Sequence, residues 1–208
     1  MDTLTLPWTS YIPHQPTAKQ LAFLLLENSE ALYGGAAGGG KSDALLMAAL
    51  QYVDQPDYAA LLLRRSYTDL ALPGALMDRA KEWLMPTDAH WREATKTWTF
   101  PSGATLTFGY LEHTGDEYRY QSTEFQMIGF DELTQFDENH YRYMFSRLRR
   151  RNDGTAPLRM RSASNPGGIG HEWVRSRFLD TTPDEAGRVF ISARLPDNPH
   201  LDQEAYIE

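Results

Sequence analysis

The chain has no cysteine in its 208 residues. Disulfides and zinc–thiolate centres are therefore excluded, and the composition fits a reducing compartment. No apolar run reaches the length of a bilayer crossing, and no basic-then-apolar stretch opens the chain, so neither a membrane span nor a secretory leader is expected. The six histidines are scattered without the paired spacing of a metal site, and packing or surface roles are expected for them. An excess of positive charge is missing too. The net charge of −8 excludes a protein whose whole surface grips nucleic acid. Basic charge is nevertheless concentrated locally, with seven arginines and one acid (Asp153) between Arg142 and Arg161. Internal repeats and low-complexity segments are absent, and the length suits one α/β domain.

What is present is a glycine cluster with a defined spacing. Ala31 to Ser42 reads A-L-Y-G-G-A-A-G-G-G-K-S, and Gly35, Gly40, Lys41 and Ser42 fit the phosphate-loop pattern G-x-x-x-x-G-K-[ST]. The apolar run Ala31–Tyr33 predicts a strand, the loop Gly35, Ala36, Ala37, Gly38, Gly39, Gly40 can aim backbone N–H groups at a polyphosphate, and a helix starting near Lys41 adds its positive end. Lys41 is expected to reach the phosphates of ATP, Ser42 to coordinate Mg²⁺, and Asp43 to belong with Gly35 to Ser42 to the nucleotide-binding stretch. Asp43 to Val53 is rich in strong helix formers. A glycine-rich turn containing Lys-Ser by chance is the plain alternative, and the strand-then-helix context argues against it.

Taken in order, Met1 to Pro16 reads as an irregular lead-in and Thr17 to Asn28 as a helix with Leu21, Leu24 and Leu25 on one stripe. Gln20 lies on it, as a solvated side chain or as a reader of adenine through its amide. Tyr58 to Leu63 is a continuous apolar run, as in a strand covered on both faces, closed by Arg64-Arg65. Ser66 to Leu84 reads as helix interrupted near Pro73-Gly74. Alternation on both sides of Pro101-Ser102-Gly103 predicts a β-hairpin with Trp98, Phe100, Leu106 and Phe108 on its core face. Phe125 to Phe130 is a further strand running into Asp131-Glu132, an acidic pair at a strand's carboxyl end, where Asp131 would hold Mg²⁺, mostly through water, and Glu132 polarise the attacking water. Thr134 to Leu148 is expected as a helix capped by Asp137, with Tyr141, Met144, Phe145 and Leu148 as its stripe. The arginines of 147–151 would close it, either as helix-end cations or in contact with DNA or a neighbouring subunit. Leu158 to Ala163 predicts a strand ending at Ser164-Asn165-Pro166-Gly167-Gly168, followed by a helix over Glu172–Leu179 and a strand over Arg188–Ala193. Arg159 and Arg161 sit awkwardly in a central strand, and only a late strand start accommodates them. The expected fold is an α/β domain with a mainly parallel sheet.

G-G-A-A-G-G-G-K-S, L-L-L-R-R-S-Y, Y-R-Y-Q-S-T-E-F, I-G-F-D-E-L, S-N-P-G-G and L-P-D-N-P-H-L, in this order from about Gln20 to Leu201, resemble the large terminase subunit of tailed bacteriophages. The resemblance implies a P-loop NTPase of the additional-strand catalytic-glutamate type, an ATPase that drives double-stranded DNA into a capsid. It implies a ring, usually of five subunits, on the portal protein, with the small terminase subunit as partner, in the host cell cytoplasm and away from membranes. Lys41 and Ser42 match the phosphate-loop pair, Asp131 the metal carboxylate, Glu132 the catalytic one, Asn165 the γ-phosphate-sensing motif and Gln20 the adenine-side glutamine. Arg119 looks like the arginine that some members insert into a neighbour's site. Two departures stand out. Ala36 and Ala37 occupy a region where some relatives carry a loop arginine. The family also continues into a nuclease domain, so residues 1–208 read as the ATPase domain alone, without DNA-cutting activity. Another nucleic-acid motor of the same fold, such as a helicase core, and a nucleotide-dependent assembly switch remain as alternative readings.

Overall fold

The runs that are apolar without alternation lie side by side, because a strand covered on both faces must be apolar at every position. The computed structural model describes residues 6–35, 38–150, 154–180, 187–193 and 197. In chain order these form α1 (Ala18–Leu24), β1 (Glu30–Gly35), α2 (Lys41–Leu50), β2 (Ala59–Arg64), α3 (Tyr67–Ala71), α4 (Leu76–Leu84), β3 (His90–Arg92), β4 (Thr97–Thr99), β5 (Thr105–Tyr110), β6 (Met127–Asp131), α5 (Glu138–Phe145), β7 (Arg159–Ser164), α6 (His171–Phe178) and β8 (Arg188–Ala193). Short 3-10 turns cover Asp116–Tyr120 and Leu133–Gln135.

One sheet of eight strands runs in the order β3-β4-β5-β2-β6-β7-β1-β8 among the described residues. From β5 to β8 every neighbouring pair is parallel, while β3, β4 and β5 form an antiparallel end. The expected mainly parallel α/β architecture is therefore present. The hairpin is present too, and its second strand doubles as a member of the parallel sheet beside β2; the short strand β3 beyond it had no clear signal in the sequence.

Alternate residues of each strand feed two cores. Tyr33, Leu62, Trp98, Leu106 and Met127 pack with α1, α2 and α4 on one face. Leu32, Leu61, Leu63, Ile128, Phe130 and Met160 pack with Tyr141, Met144, Val174 and Phe178 of α5 and α6 on the other. Such burial is worth roughly 1.5–3 kcal/mol for each large apolar side chain.

Three expectations need correction. Arg159 and Arg161 do not escape through a late strand start, because β7 begins at Arg159 and buries both side chains, at 2% and 0% exposure. Arg159 donates to Gln51 Oε1 (2.8 Å) and the Ala48 carbonyl (3.2 Å), over the Tyr52 ring. Arg161 donates to the carbonyls of Asn28 (2.9 Å) and Leu26 (2.7 Å). A guanidinium enters a core when its fork is met by fixed acceptors. Second, α5 stops at Phe145, so Leu148 leaves the helical stripe. The backbone of Arg147 and Arg149 instead pairs with Phe125, giving a parallel bridge between Phe125 and Leu148. Third, Arg147 and Arg149 consequently lie beyond the helix end. Arg142 is the cation of the last turn, ion-paired with Glu138 at 2.7 Å. Asp137 occupies the N-cap position of α5 without a side-chain hydrogen bond.

Burial pushes the hydroxyls of Tyr58 and Tyr120 up from 10.0 to about 12. An acid whose pKa is raised by folding contributes stability that is complete below its unfolded value and is lost as pH climbs through the folded one. The melting temperature is therefore expected to fall between pH 10 and 12, in step with tyrosinate absorbance. A melting temperature that stays level between pH 10 and 12 would contradict this.

Candidate functional site

Parallel strands deliver their carboxyl ends to one edge of the sheet, and the polar loops of this chain gather there. The strand order places β7 between β1, which carries the glycine loop, and β6, which ends in the acidic pair.

The glycine loop is held from behind. Tyr33 donates its hydroxyl to the Gly39 carbonyl (3.2 Å), and Gln20 donates its amide nitrogen to the Gly40 carbonyl (2.9 Å). In a planar trans peptide the carbonyl and the following N–H point opposite ways, so the N–H groups of Gly40 and Lys41 are turned toward the cleft. Gly38 (φ 77°) and Gly40 (φ 68°) adopt left-handed backbone, and a Cβ on Gly40 would come within 2.7 Å of Gln20 Nε2. The cleft encloses about 260 Å³ and is lined by Gly38, Gly39, Gly40, Lys41, Ser42, Asp43, Gly74, Arg79, Glu132 and Asn165. Burial lowers the Lys41 pKa, opposed by the carboxylates of Glu132 and Asp131.

Ser42 donates its hydroxyl to Asp131 Oδ1 (3.2 Å), joining the start of α2 to the end of β6. Asp131 is buried, and burial, with the Glu132 charge adding, pushes its carboxyl up to about 6 against the pull of Arg64, Ser42 and Lys41. Arg64, the last residue of β2, lies 3.0 Å from Asp131 Oδ2 and 3.9 Å from Glu132 Oε1. The hydroxyl and carboxylate are the hard oxygen donors that Mg²⁺ takes when phosphates and waters complete its shell. No cluster of three or more His, Cys, Asp or Glu side chains placed to hold a metal ion is found among the described residues.

Glu132 has left-handed backbone (φ 57°, ψ 57°), a conformation costing a non-glycine residue about 1–2 kcal/mol. Asn165 compensates. Its backbone N–H donates to Glu132 Oε2 (3.1 Å) and its side-chain amide to Oε1 (3.0 Å). The strained turn thereby aims the carboxylate into the cleft, where it is a partly exposed group suited to accept a proton from water.

Gly38 to Asp43, Asp131, Glu132 and Asn165 are thus brought together as the sequence led us to expect. Gly35 lies at the end of β1 and lines a neighbouring apolar cavity, and Ala36 and Ala37 lie outside the described residues, as do residues 195, 196 and 198–201 of the last motif. Gln20 sits beside the loop with both amide ends engaged, since Oε1 accepts from Thr17 N (2.8 Å) in the cap of α1. Arg119 is not in this cleft. It lies on the turn Asp116–Tyr120, ion-paired with Asp116 (2.7 Å) and 4.3 Å over the Tyr110 ring. Two arginines at the site escaped the sequence reading. Arg64 had one signal, a charge closing a buried strand. Arg79, paired with Asp43, had none, because a helix face shows nothing of what lies opposite it.

Gly40→Ala is expected to destabilise the fold by about 1–3 kcal/mol, from the left-handed backbone and the displaced Gln20 amide. Urea unfolding measures this, and an unchanged midpoint would mean that the loop is not held as described.

A family profile described as terminase large subunit, T4likevirus-type, N-terminal matches residues 32–200. Comparison with curated proteins finds no match. Among solved structures, the large terminase of a thermophilic bacteriophage superposes with a TM-score of 0.73 at 16% identity, covering 91% of this chain and 48% of that one. The same phage's protein in complex with ATP-γ-S gives 0.69 at 20% identity, with 91% and 47% covered. The large terminase ATPase domain of Thermus phage P74-26 gives 0.63 at 14% identity, with 98% and 92% covered. The chain thus spans about half the length of the full terminase it matches and nearly all of the isolated ATPase domain.

Proposed function

The chain belongs to the T4likevirus-type terminase large subunit family, as the N-terminal part, and from that premise we propose that it is a Mg²⁺-dependent ATPase domain powering the movement of double-stranded DNA into a capsid. The observation that carries this reading is the Asn165–Glu132 clamp facing the glycine loop and the Ser42–Asp131 pair. A site that only held nucleotide would need the loop and the metal donors. A strained, hydrogen-bonded carboxylate aimed at the phosphate cleft adds the group that activates water.

In this reading the loop N–H groups and Lys41 bind the phosphates, and Ser42 and Asp131 would hold Mg²⁺, which would supply charge neutralisation at the phosphates. Glu132 orients and deprotonates the attacking water, and Asn165 holds Glu132 and reports on the γ-phosphate. Gln20 supports the loop from the side where adenine would lie. The similar phage protein solved with ATP-γ-S supports the choice of nucleotide. The portal protein, the small terminase subunit, a pentameric ring and the host cytoplasm belong to the same proposal, as does the absence of nuclease activity from these residues.

Lys41→Ala is expected to weaken binding of a fluorescent ATP analogue by about 1.5–3 kcal/mol, the worth of a charged hydrogen bond. Glu132→Gln should bind normally and lose about 10²–10⁴ in turnover. Equal loss of binding in both would refute the division of roles.

Arg119 is proposed to act in the neighbouring subunit's site. It stands outside its own cleft, on a turn fastened by Asp116 and Tyr110. Arg119→Ala subunits, which keep a working cleft, should recover turnover when mixed with Glu132→Gln subunits that keep Arg119. Mixed assemblies without recovery would remove Arg119 from the mechanism in trans.

A further inference from the structure

We propose that the buried pair Glu117–His140 is a positioning pair for Arg119: it pins the turn that carries Arg119 to α5, and so fixes the direction in which the guanidinium leaves its own subunit. The inference rests on the reading that Arg119 acts in a neighbouring subunit's site, and it gives a role to two residues outside the phosphate cleft.

The turn cannot hold its own shape. Asp116–Tyr120 is a single 3-10 turn entered through Gly115 in left-handed backbone (φ 98°). Hydrogen bonds from i to i+3 are poorly aligned, and so short a stretch does not persist in isolation. Its outer side is open. Tyr118 is 61% exposed, and Arg119 and Tyr120 line a groove of about 670 Å³ beside Thr105 and Thr107. The ion pair of Arg119 with Asp116 lies within the turn, so it shapes the turn without tying it to the body of the fold. Tyr118 meets Tyr143 of α5 edge-on at 5.5 Å, and Arg119 lies over the Tyr110 ring. These partly exposed ring contacts restrain the distance of the turn from the body more than its orientation.

The two ends of the turn are seated in different ways. At the far end, Tyr120 fills the space that a Cβ on Gly109 would take. At the near end the anchor is a charge. Glu117 is the buried residue of the turn, 8% exposed, where plain packing calls for an apolar side chain. Its Oε2 accepts from Gly115 N (2.9 Å) and lies 3.3 Å from Nε2 of His140, itself 2% exposed on α5. A carboxylate is kept in such a place only where partners meet it. The other imidazole nitrogen, Nδ1, is buried with no hydrogen-bond partner among the described residues, so the ring serves Glu117 alone. Two contacts on one oxygen fix the carboxylate, and with it the backbone two residues before Arg119. An apolar pair of similar size would serve folding as well, because a buried polar pair adds direction more than net stability. Since α5 begins just past the 3-10 turn that follows Glu132, the pair fastens Arg119 to the element leading out of the subunit's own acidic pair.

The test uses the full chain and separates donation of Arg119 from folding and from the subunit's own cleft. Glu117→Leu/His140→Phe replaces the pair with apolar side chains. Its melting temperature and its binding of fluorescent ADP should match the wild type, while amide hydrogen exchange over residues 115–121 should quicken about tenfold or more. In mixed assemblies the double substitution should act on one side only. Added to Glu132→Gln subunits, it should cut their rescue of Arg119→Ala subunits by about a hundredfold, the scale of a misplacement of about an ångström. Added to subunits with a working cleft, it should leave them rescued by Glu132→Gln subunits as well as Arg119→Ala subunits are. His140→Gln, which can set an amide N–H at Glu117, should keep donation. If the double variant does not fold, Glu117→Gln takes its place, with a smaller loss on the same side. Undiminished rescue by the substituted donor, equal loss in both roles, or unchanged exchange over 115–121 overturns the positioning role. Failure of plain Glu132→Gln subunits to rescue Arg119→Ala overturns the reading of Arg119 in trans, and the exchange measurement then still decides whether the pair fixes the turn.

Discussion

The two hydrogen bonds from Asn165 to Glu132 are the contact on which the geometry of the site depends. They join the ends of β7 and β6 and hold a non-glycine residue in left-handed backbone. Strain of this kind persists only where the surroundings over-determine it. Here the surroundings are specific: Thr134 N donates to Ser164 Oγ (3.1 Å), and the Thr134 and Ser164 hydroxyls meet at 2.9 Å, so the two loops are stitched together just behind the clamp. None of this could form with β1 next to β6. The intervening strand brings Asn165 between the glycine loop and the acidic pair.

The two edges of the sheet treat charge differently. At the amino edge, Glu30 accepts from Arg177 (2.8 and 2.9 Å), Arg188 (3.1 Å) and the Tyr141 hydroxyl (3.0 Å), drawing β1, β8, α5 and α6 together. On the other face, Arg159 and Arg161 spend their donors on carbonyls and an amide that belong to packed helix ends and loops. These groups are enclosed and mostly matched, although the buried Nε of Arg159 and of Arg161 has no hydrogen-bond partner, and such contacts specify one arrangement of the elements more than they add net stability. At the carboxyl edge, Arg64 pairs with Asp131 and Arg79 with Asp43, beside the cleft that Lys41 and Glu132 line.

The chain's acidic balance and its arginine-rich stretch are reconciled by position. Arg159 and Arg161 are buried, Arg142 is paired on its own helix, and Arg147 and Arg149 lie on an extended segment beside Phe125. Among the described residues, what reads in one dimension as a single basic stripe is divided among a core, a helix face and a surface segment.

Much of the site was written in short-range patterns. The glycine spacing before Lys-Ser, the apolar runs ending in Asp131-Glu132 and in Ser164-Asn165, and the alternation of strand and helix are local signals, because loop conformation and burial on both faces constrain neighbouring residues directly. From them follow the parallel sheet, the phosphate loop and the convergence of the acidic pair with Asn165. What the sequence could not show is whatever depends on strands far apart in the chain becoming neighbours. The end of α5 was misplaced because Arg147–Arg149 is drawn out of helical geometry by Phe125, more than twenty residues away. Arg159 and Arg161 had no explanation until Gln51, Ala48, Asn28 and Leu26 were brought against them. Arg64 looked like a charge ending a strand until β2 and β6 lay side by side. Residue type and spacing determined which chemistry the chain carries, and strand order alone decided which charges meet, because hydrogen bonds and ion pairs act over a few ångströms while the residues that make them are scattered along the whole chain.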